Sequence, residues 1–190
     1  MNNVNTNNTT IWCDMDGVVA IYDMKGFCGK NPPFLKTNSH YFRDCIPDDK
    51  IINALQLIQE IYNIKIKIIS NVHKTLKQEH TQDKYEWLKE HMPFINTKES
   101  YYPITESKTD YVKKIKKQGL TKFDILISDF NRDLIPWSEN GGTGIKYANG
   151  INNPHSYDGI YIPEEYTTKE ITNQIIDTIY KINRKENDNT

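Results

Sequence analysis

An α/β fold on a doubly wound parallel sheet, with helices on both faces, is predicted by three observations. Short apolar runs alternate with segments of helical periodicity along most of the chain. Three of the runs end in polar pairs, Asp14/Asp16, Ser70/Asn71 and Ser128/Asp129, as strands do where they break into loops. The length of 190 residues fits one domain, or one with a small insertion, and leaves little room for two.

The elements follow in order. Residues 1–8 are polar and Asn-rich, and 184–190 are polar and charged; both ends are expected to be disordered, with the folded domain at 9–183. Thr10-Ile11-Trp12-Cys13 reads as a buried strand that breaks at Asp14-Met15-Asp16-Gly17. From 20 to 47 the pattern is irregular, with glycines, prolines and aromatics, and predicts a long ordered excursion or a very small cap. Asp48 is placed to cap a helix whose apolar positions Ile51, Ile52, Leu55, Ile58 and Ile61 keep helical spacing. That helix feeds an alternating strand, Ile64 to Ile69, ending at Ser70-Asn71. Thr81 is expected to cap a second helix to about His91, ahead of Pro93. A brief strand at Tyr101-Tyr102, a helix from Ser107 to Gln118 closed by Gly119, and a buried strand Phe123 to Ile127 come next. Asn131 to Glu139 reads as helical turns, Thr143 to Tyr147 as a strand and Thr167 to Ile182 as a closing helix.

Composition excludes several classes of function. The 24 Lys and Arg nearly balance 25 Asp and Glu, so no global basic field exists to hold nucleic acid or an anionic membrane. No run of ~18 apolar residues is present, and the N-terminus lacks the pattern of a signal peptide. Cys13, Cys28 and Cys45 are odd in number and show no CxxC spacing, against a disulfide framework or a zinc site. A cytoplasmic setting is expected, with no membrane and no stable nucleic-acid partner; a homo-oligomer is compatible with the sequence.

The three strand ends meet at one edge of a parallel sheet, where ligands bind in such folds. Carboxylates crowded there repel one another unless a cation lies between them, and hard oxygen ligands suit Mg²⁺. Asp14 and Asp16, two apart on extended chain, are able to face one phosphorus, one attacking and one handling protons. Attack by a carboxylate forms an aspartyl-phosphate and divides hydrolysis into two easier steps. Gly17 permits close backbone approach to phosphate oxygens.

Cys13-Asp14-Met15-Asp16-Gly17-Val18 resembles the first motif of haloacid dehalogenase (HAD) superfamily phosphohydrolases. Ser70 resembles their second motif, and Asp129 with Asp133 their fourth. Within that superfamily the chain is similar to the 5'(3')-deoxyribonucleotidases of the cytosolic type. The resemblance lies in Tyr41-Phe42-Arg43-Asp44, Lys84-Tyr85-Glu86-Trp87-Leu88, and Ile127-Ser128-Asp129 ahead of Gly141-Gly142, and it covers roughly Ile11 to Tyr147. It implies a Rossmann-like HAD fold with a much reduced cap insertion at 20–47. It also implies a Mg²⁺-dependent hydrolase of (deoxy)nucleoside monophosphates, an enzyme of nucleotide metabolism. Asp14 is then nucleophile and metal ligand, and Asp16 general acid/base with its backbone carbonyl on the metal. Asp129 completes the protein's metal ligands. Gly17, Ser70 and the Asn71 amide bind phosphate together with Asp16, and Lys84 neutralises phosphate and nucleophile. Two departures stand out: Ser128-Asp129 where relatives often carry an acidic pair, and a cover shorter than the usual helical cap.

Other readings accompany these. Lys74, Lys77 and Lys108 are alternatives to Lys84, and Asp133 is either an indirect metal ligand or a turn residue opening a helix. Phe27, Phe34, Tyr41 and Phe42 stack a base or pack the small cap. Another small phosphoester, or a nucleic-acid end, is the alternative substrate. A catalytically silent nucleotide- or protein-binding module is the alternative of another class.

Overall fold

The computed structural model describes residues 8–21, 40–152 and 156–187. Phe27, Phe34 and most of the 20–47 segment lie outside the described residues.

Six strands form one sheet: β1 (Thr10–Cys13), β2 (Lys65–Asn71), β3 (Tyr101–Ile104), β4 (Asp124–Ser128), β5 (Thr143–Tyr147) and β6 (Ile160–Ile162). Their spatial order is β3-β2-β1-β4-β5-β6 and every pairing is parallel. The doubly wound α/β class is therefore the one the sequence predicts. Between and after the strands lie α1 (Asp49–Tyr62), α2 (Lys77–His91), α3 (Thr97–Ser100), α4 (Lys108–Ile115), α5 (Asn131–Glu139) and α6 (Thr168–Asn187).

Strand alternation divides the core. On one face Ile11 and Cys13 of β1, with Ile66, Ile68, Ile125, Ile127 and Ile145, pack against Ile51, Leu55 and Ile58 of α1, Trp87 and Leu88 of α2, and Ile171 and Ile175 of α6. On the other, Trp12, Ile69 and Leu126 pack against Val112 of α4 and Leu134 and Trp137 of α5. Burial of both faces explains why β4 reads as a continuous apolar run.

The cap predicted at Asp48 is present, its carboxylate accepting from the Lys50 amide at 3.1 Å. The second helix starts earlier than Thr81. A 3-10 turn at Lys74–Leu76, whose entry His73 caps by accepting from the Thr75 amide, leads directly into α2 at Lys77. A histidine in that role carries little sequence signal, since Ser, Thr, Asp and Asn dominate helix caps. Helix α4 stops at Ile115, short of Gln118, and α6 continues to Asn187, past Ile182. β6, α3 and the 3-10 turn at Tyr41–Asp44, none longer than four residues, come without a sequence prediction.

Candidate active site

The register positions the site. Cys13 lies level with Ile68 on β2 and Ile127 on β4, so the next residue, Asp14, emerges between the ends of both neighbours. Its amide donates to the Ile127 carbonyl at 2.9 Å. Asp14 is 6% exposed. Its Oδ1 accepts from the Met15 amide at 2.9 Å, and its Oδ2 from Lys108 Nζ at 2.6 Å and Ser128 Oγ at 3.1 Å. Burial pushes the Asp14 carboxyl up to about 7; Lys108 opposes the rise, and Asp133, Asp16 and Asp129 add to it. Lys108, at the first turn of α4, also pairs with Asp133 on α5. Burial works against its charge, but the two carboxylates outweigh that and hold its pKa above the ordinary lysine value.

A second lysine serves Asp16. Lys84 on α2 is fully buried, and its Nζ donates to Asp16 Oδ2 at 2.5 Å, Ser70 Oγ at 2.8 Å and the Asn71 carbonyl at 3.0 Å. The Phe42 ring closes the remaining side, its centroid 3.9 Å from Nζ. Asp16 Oδ1 is buried without a hydrogen-bond partner.

Asp129 follows β4. Its Oδ2 accepts from Asn149 Nδ2 at 3.0 Å and Asn152 Nδ2 at 2.7 Å, and its carbonyl from the buried Lys146 at 2.6 Å. Burial raises the Asp129 pKa; the two amides and the Lys108 and Lys146 charges resist it.

The sequence-predicted residues thus divide into groups. Asp14, Asp16, Ser70, Lys84 and Asp129 gather at the carboxyl edge of the sheet, but Lys84 pairs with Asp16 and Ser70, whereas Lys108 takes the charge of Asp14. The Gly17 amide is used within its own turn, donating to the Ala20 carbonyl at 2.8 Å. What requires glycine there is φ +77° and crowding: a Cβ would lie 2.5 Å from Asp129 Oδ2. The Asn71 side chain turns away, donating to the Glu106 carbonyl. Phe42 is 3% exposed, held between Lys84 and His80, so its ring is committed to packing; Tyr41 lies edge-on to it. Lys146, Asn149 and Asn152 escaped sequence reasoning. A lysine within the predicted strand Thr143–Tyr147 was the one available signal.

Among the described residues no three His, Cys, Asp or Glu side chains already converge as a metal cage. The donor chemistry nonetheless fits a hard cation. Asp14 is an oxygen donor whose charge is disfavoured by burial and by three neighbouring carboxylates, with Lys108 the cation that opposes them.

No family model matches the chain, and no curated protein matches it in sequence. Solved structures share its fold. A haloacid dehalogenase-like family hydrolase from Xanthomonas campestris aligns over 93% of this chain and 98% of its own, with TM-score 0.60 and 8% identity. A HAD hydrolase, family IA, from Entamoeba histolytica aligns over 90% and 99%, with TM-score 0.60 and 16% identity. The D,D-heptose 1.7-bisphosphate phosphatase from B. bronchiseptica, complexed with magnesium and phosphate, aligns over 89% and 98%, with TM-score 0.56 and 11% identity.

Proposed function

We propose that this chain is a Mg²⁺-dependent phosphomonoester hydrolase acting on (deoxy)nucleoside monophosphates through an aspartyl-phosphate. The observation that carries the reading is the pair Asp14 and Asp16, each matched to its own buried lysine at the carboxyl edge of a parallel sheet. A binding module has no need of two carboxylates so differently equipped.

In the first step an Asp14 oxygen attacks phosphorus and the ester P–O bond breaks. The departing oxygen takes a proton from Asp16, whose Oδ1 is the oxygen that Lys84 leaves unengaged. In the second step Asp16 takes a proton from water, the water oxygen attacks phosphorus, and the bond to Asp14 breaks to release phosphate. Lys84, donating to Ser70 and Asp16, stands where charge on the phosphoryl oxygens develops. Lys108 opposes the rise that burial imposes on the Asp14 carboxyl and so favours its attacking, ionised form. Mg²⁺ would be held by the carboxylates of Asp14 and Asp129 and the Asp16 carbonyl, and when bound it supplies neutralisation of phosphoryl charge.

The burial of Phe42 favours a second reading, a phosphatase for another small phosphoester or a nucleic-acid end, because it removes one candidate for base stacking. The free thiols Cys13 and Cys45 support a cytoplasmic setting. The deciding experiment is a phosphate-release screen over nucleotides, sugar phosphates and phosphorylated oligonucleotide ends, with Mg²⁺ and with EDTA. Release from nucleoside monophosphates that EDTA abolishes is expected. Release from sugar phosphates at equal rate favours the second reading, and release from nothing favours a silent module.

A further inference from the structure

Between β5 and β6, a half-buried asparagine touches two of the three segments that carry the proposed chemistry. Ala148 donates to the Ile162 carbonyl at 2.9 Å and so pins the end of β5 to β6. Immediately after it, Asn149 Oδ1 accepts from the Ile151 amide at 3.0 Å. That leaves its amide group for two acceptors: the Gly17 carbonyl at 2.6 Å and Asp129 Oδ2 at 3.0 Å. Only one orientation of the side chain satisfies all three, since a flipped amide would face two oxygens with an oxygen and an N–H with an N–H.

The turn carrying Asp14 and Asp16 is closed within itself, by Gly17 to Ala20, Val18 to Met15 and Ala20 to Met15 hydrogen bonds. Asn149 ties this closed turn to the loop that follows β4. Contact there is tight, for a Cβ on Gly17 would meet Asn149 Nδ2 at 2.8 Å as well as the Asp129 carboxylate. Asn152 donates to the same Asp129 oxygen at 2.7 Å.

We infer that Asn149 is a positioning residue, a clamp that holds the Asp14–Gly17 turn and Asp129 at the separation needed to share one divalent cation. The inference rests on the Mg²⁺ reading of the preceding subsection. Partners that orient metal ligands typically change metal affinity by about 10–100-fold when removed.

The test is calorimetric titration of the full chain with Mg²⁺ alone, accompanied by melting curves and by hydrogen exchange of the 14–20 amides without metal. Asn149→Ala removes the clamp and the local turn. Asn149→Ser keeps an oxygen able to accept from Ile151 yet too short to reach Gly17 and Asp129 together. Both variants should weaken Mg²⁺ binding about 10–100-fold and speed exchange in 14–20. Mg²⁺ affinity within twofold of wild type in a folded Asn149→Ser overturns the inference. So does unchanged exchange in 14–20 in that variant, or loss of fold in both Asn149 variants. Absence of Mg²⁺ binding by the wild type removes the metal reading itself, and the clamp with it.

Discussion

Asp14 and Asp16 differ most in what surrounds them. Asp14 is buried, with a pKa pushed up to about 7 chiefly by desolvation, whereas Asp16 has an ammonium on one oxygen and none on the other. Asp14→Asn keeps the shape and removes the attacking charge, so phosphate release should fall by several orders of magnitude with the melting curve preserved; more than a tenth of wild-type turnover would remove Asp14 as nucleophile. Lys84→Met should reduce kcat by about 10²–10³, the usual cost of one donor aimed at developing charge. A raised carboxyl pKa also has a sign in stability. The folded state holds the Asp14 proton up to about 7, and the unfolded chain releases it near 3.8, so stability present below that lower value is lost as pH rises through the interval. Metal-free protein should therefore lose a few kcal/mol between pH 4 and pH 7 from this group, and Mg²⁺ should restore part of it at the upper end. Urea unfolding at each pH, with and without Mg²⁺, of wild type and Asp14→Asn measures both; an identical metal-free pH dependence in the two proteins would contradict the raised pKa of Asp14.

At the scale of elements, the first turn of α4 delivers a charge to the site. Ser107 caps α4 by accepting from the Asp110 amide, and this sets Lys108 facing Asp14. The cap of α1 works differently, because Asp48 accepts from the Lys50 amide and also from the Tyr147 hydroxyl at 2.5 Å, joining the helix to β5. Asp48→Ala should cost about 1 kcal/mol for the cap and about 1–3 kcal/mol for stranding a buried hydroxyl. Tyr147→Phe removes donor and acceptor contact together and should cost about 1 kcal/mol. In a double-mutant cycle by urea unfolding, the two should fall short of additivity; full additivity would mean that the hydroxyl contributes nothing through Asp48.

For the whole molecule, the question is how much of the substrate the protein surrounds. Selectivity comes from contacts that strengthen in the transition state, and on the proposed reading a cover confined to 20–47 would supply few of them. With Phe42 packed on Lys84, the proposed nucleotide substrate would leave base stacking to the other aromatics expected for it, Phe27, Phe34 and Tyr41. Discrimination between purine and pyrimidine monophosphates is expected to stay within about tenfold in kcat/KM, or ~1.4 kcal/mol. A thousandfold preference for one nucleotide would show a specific pocket instead.

Sequence alone determined the class of fold, because the alternation of helix and strand periods is a local property, and with it the edge where Asp14, Ser70 and Asp129 would meet. Asn131–Glu139 and Thr143–Tyr147 were legible to the residue, each being bounded by strong local signals. Tertiary structure alone decided which lysine serves which acid. A lysine on a polar helix looks solvated in sequence, and only packing shows that Lys84 and Lys108 are both buried and point to different carboxylates. The same holds for β6, whose three residues are strand because β5 lies beside them, and for Asn149, whose partners are 132 and 20 residues away. Local periodicity carries the elements; charge pairing across the sheet edge exists only once the chain has folded.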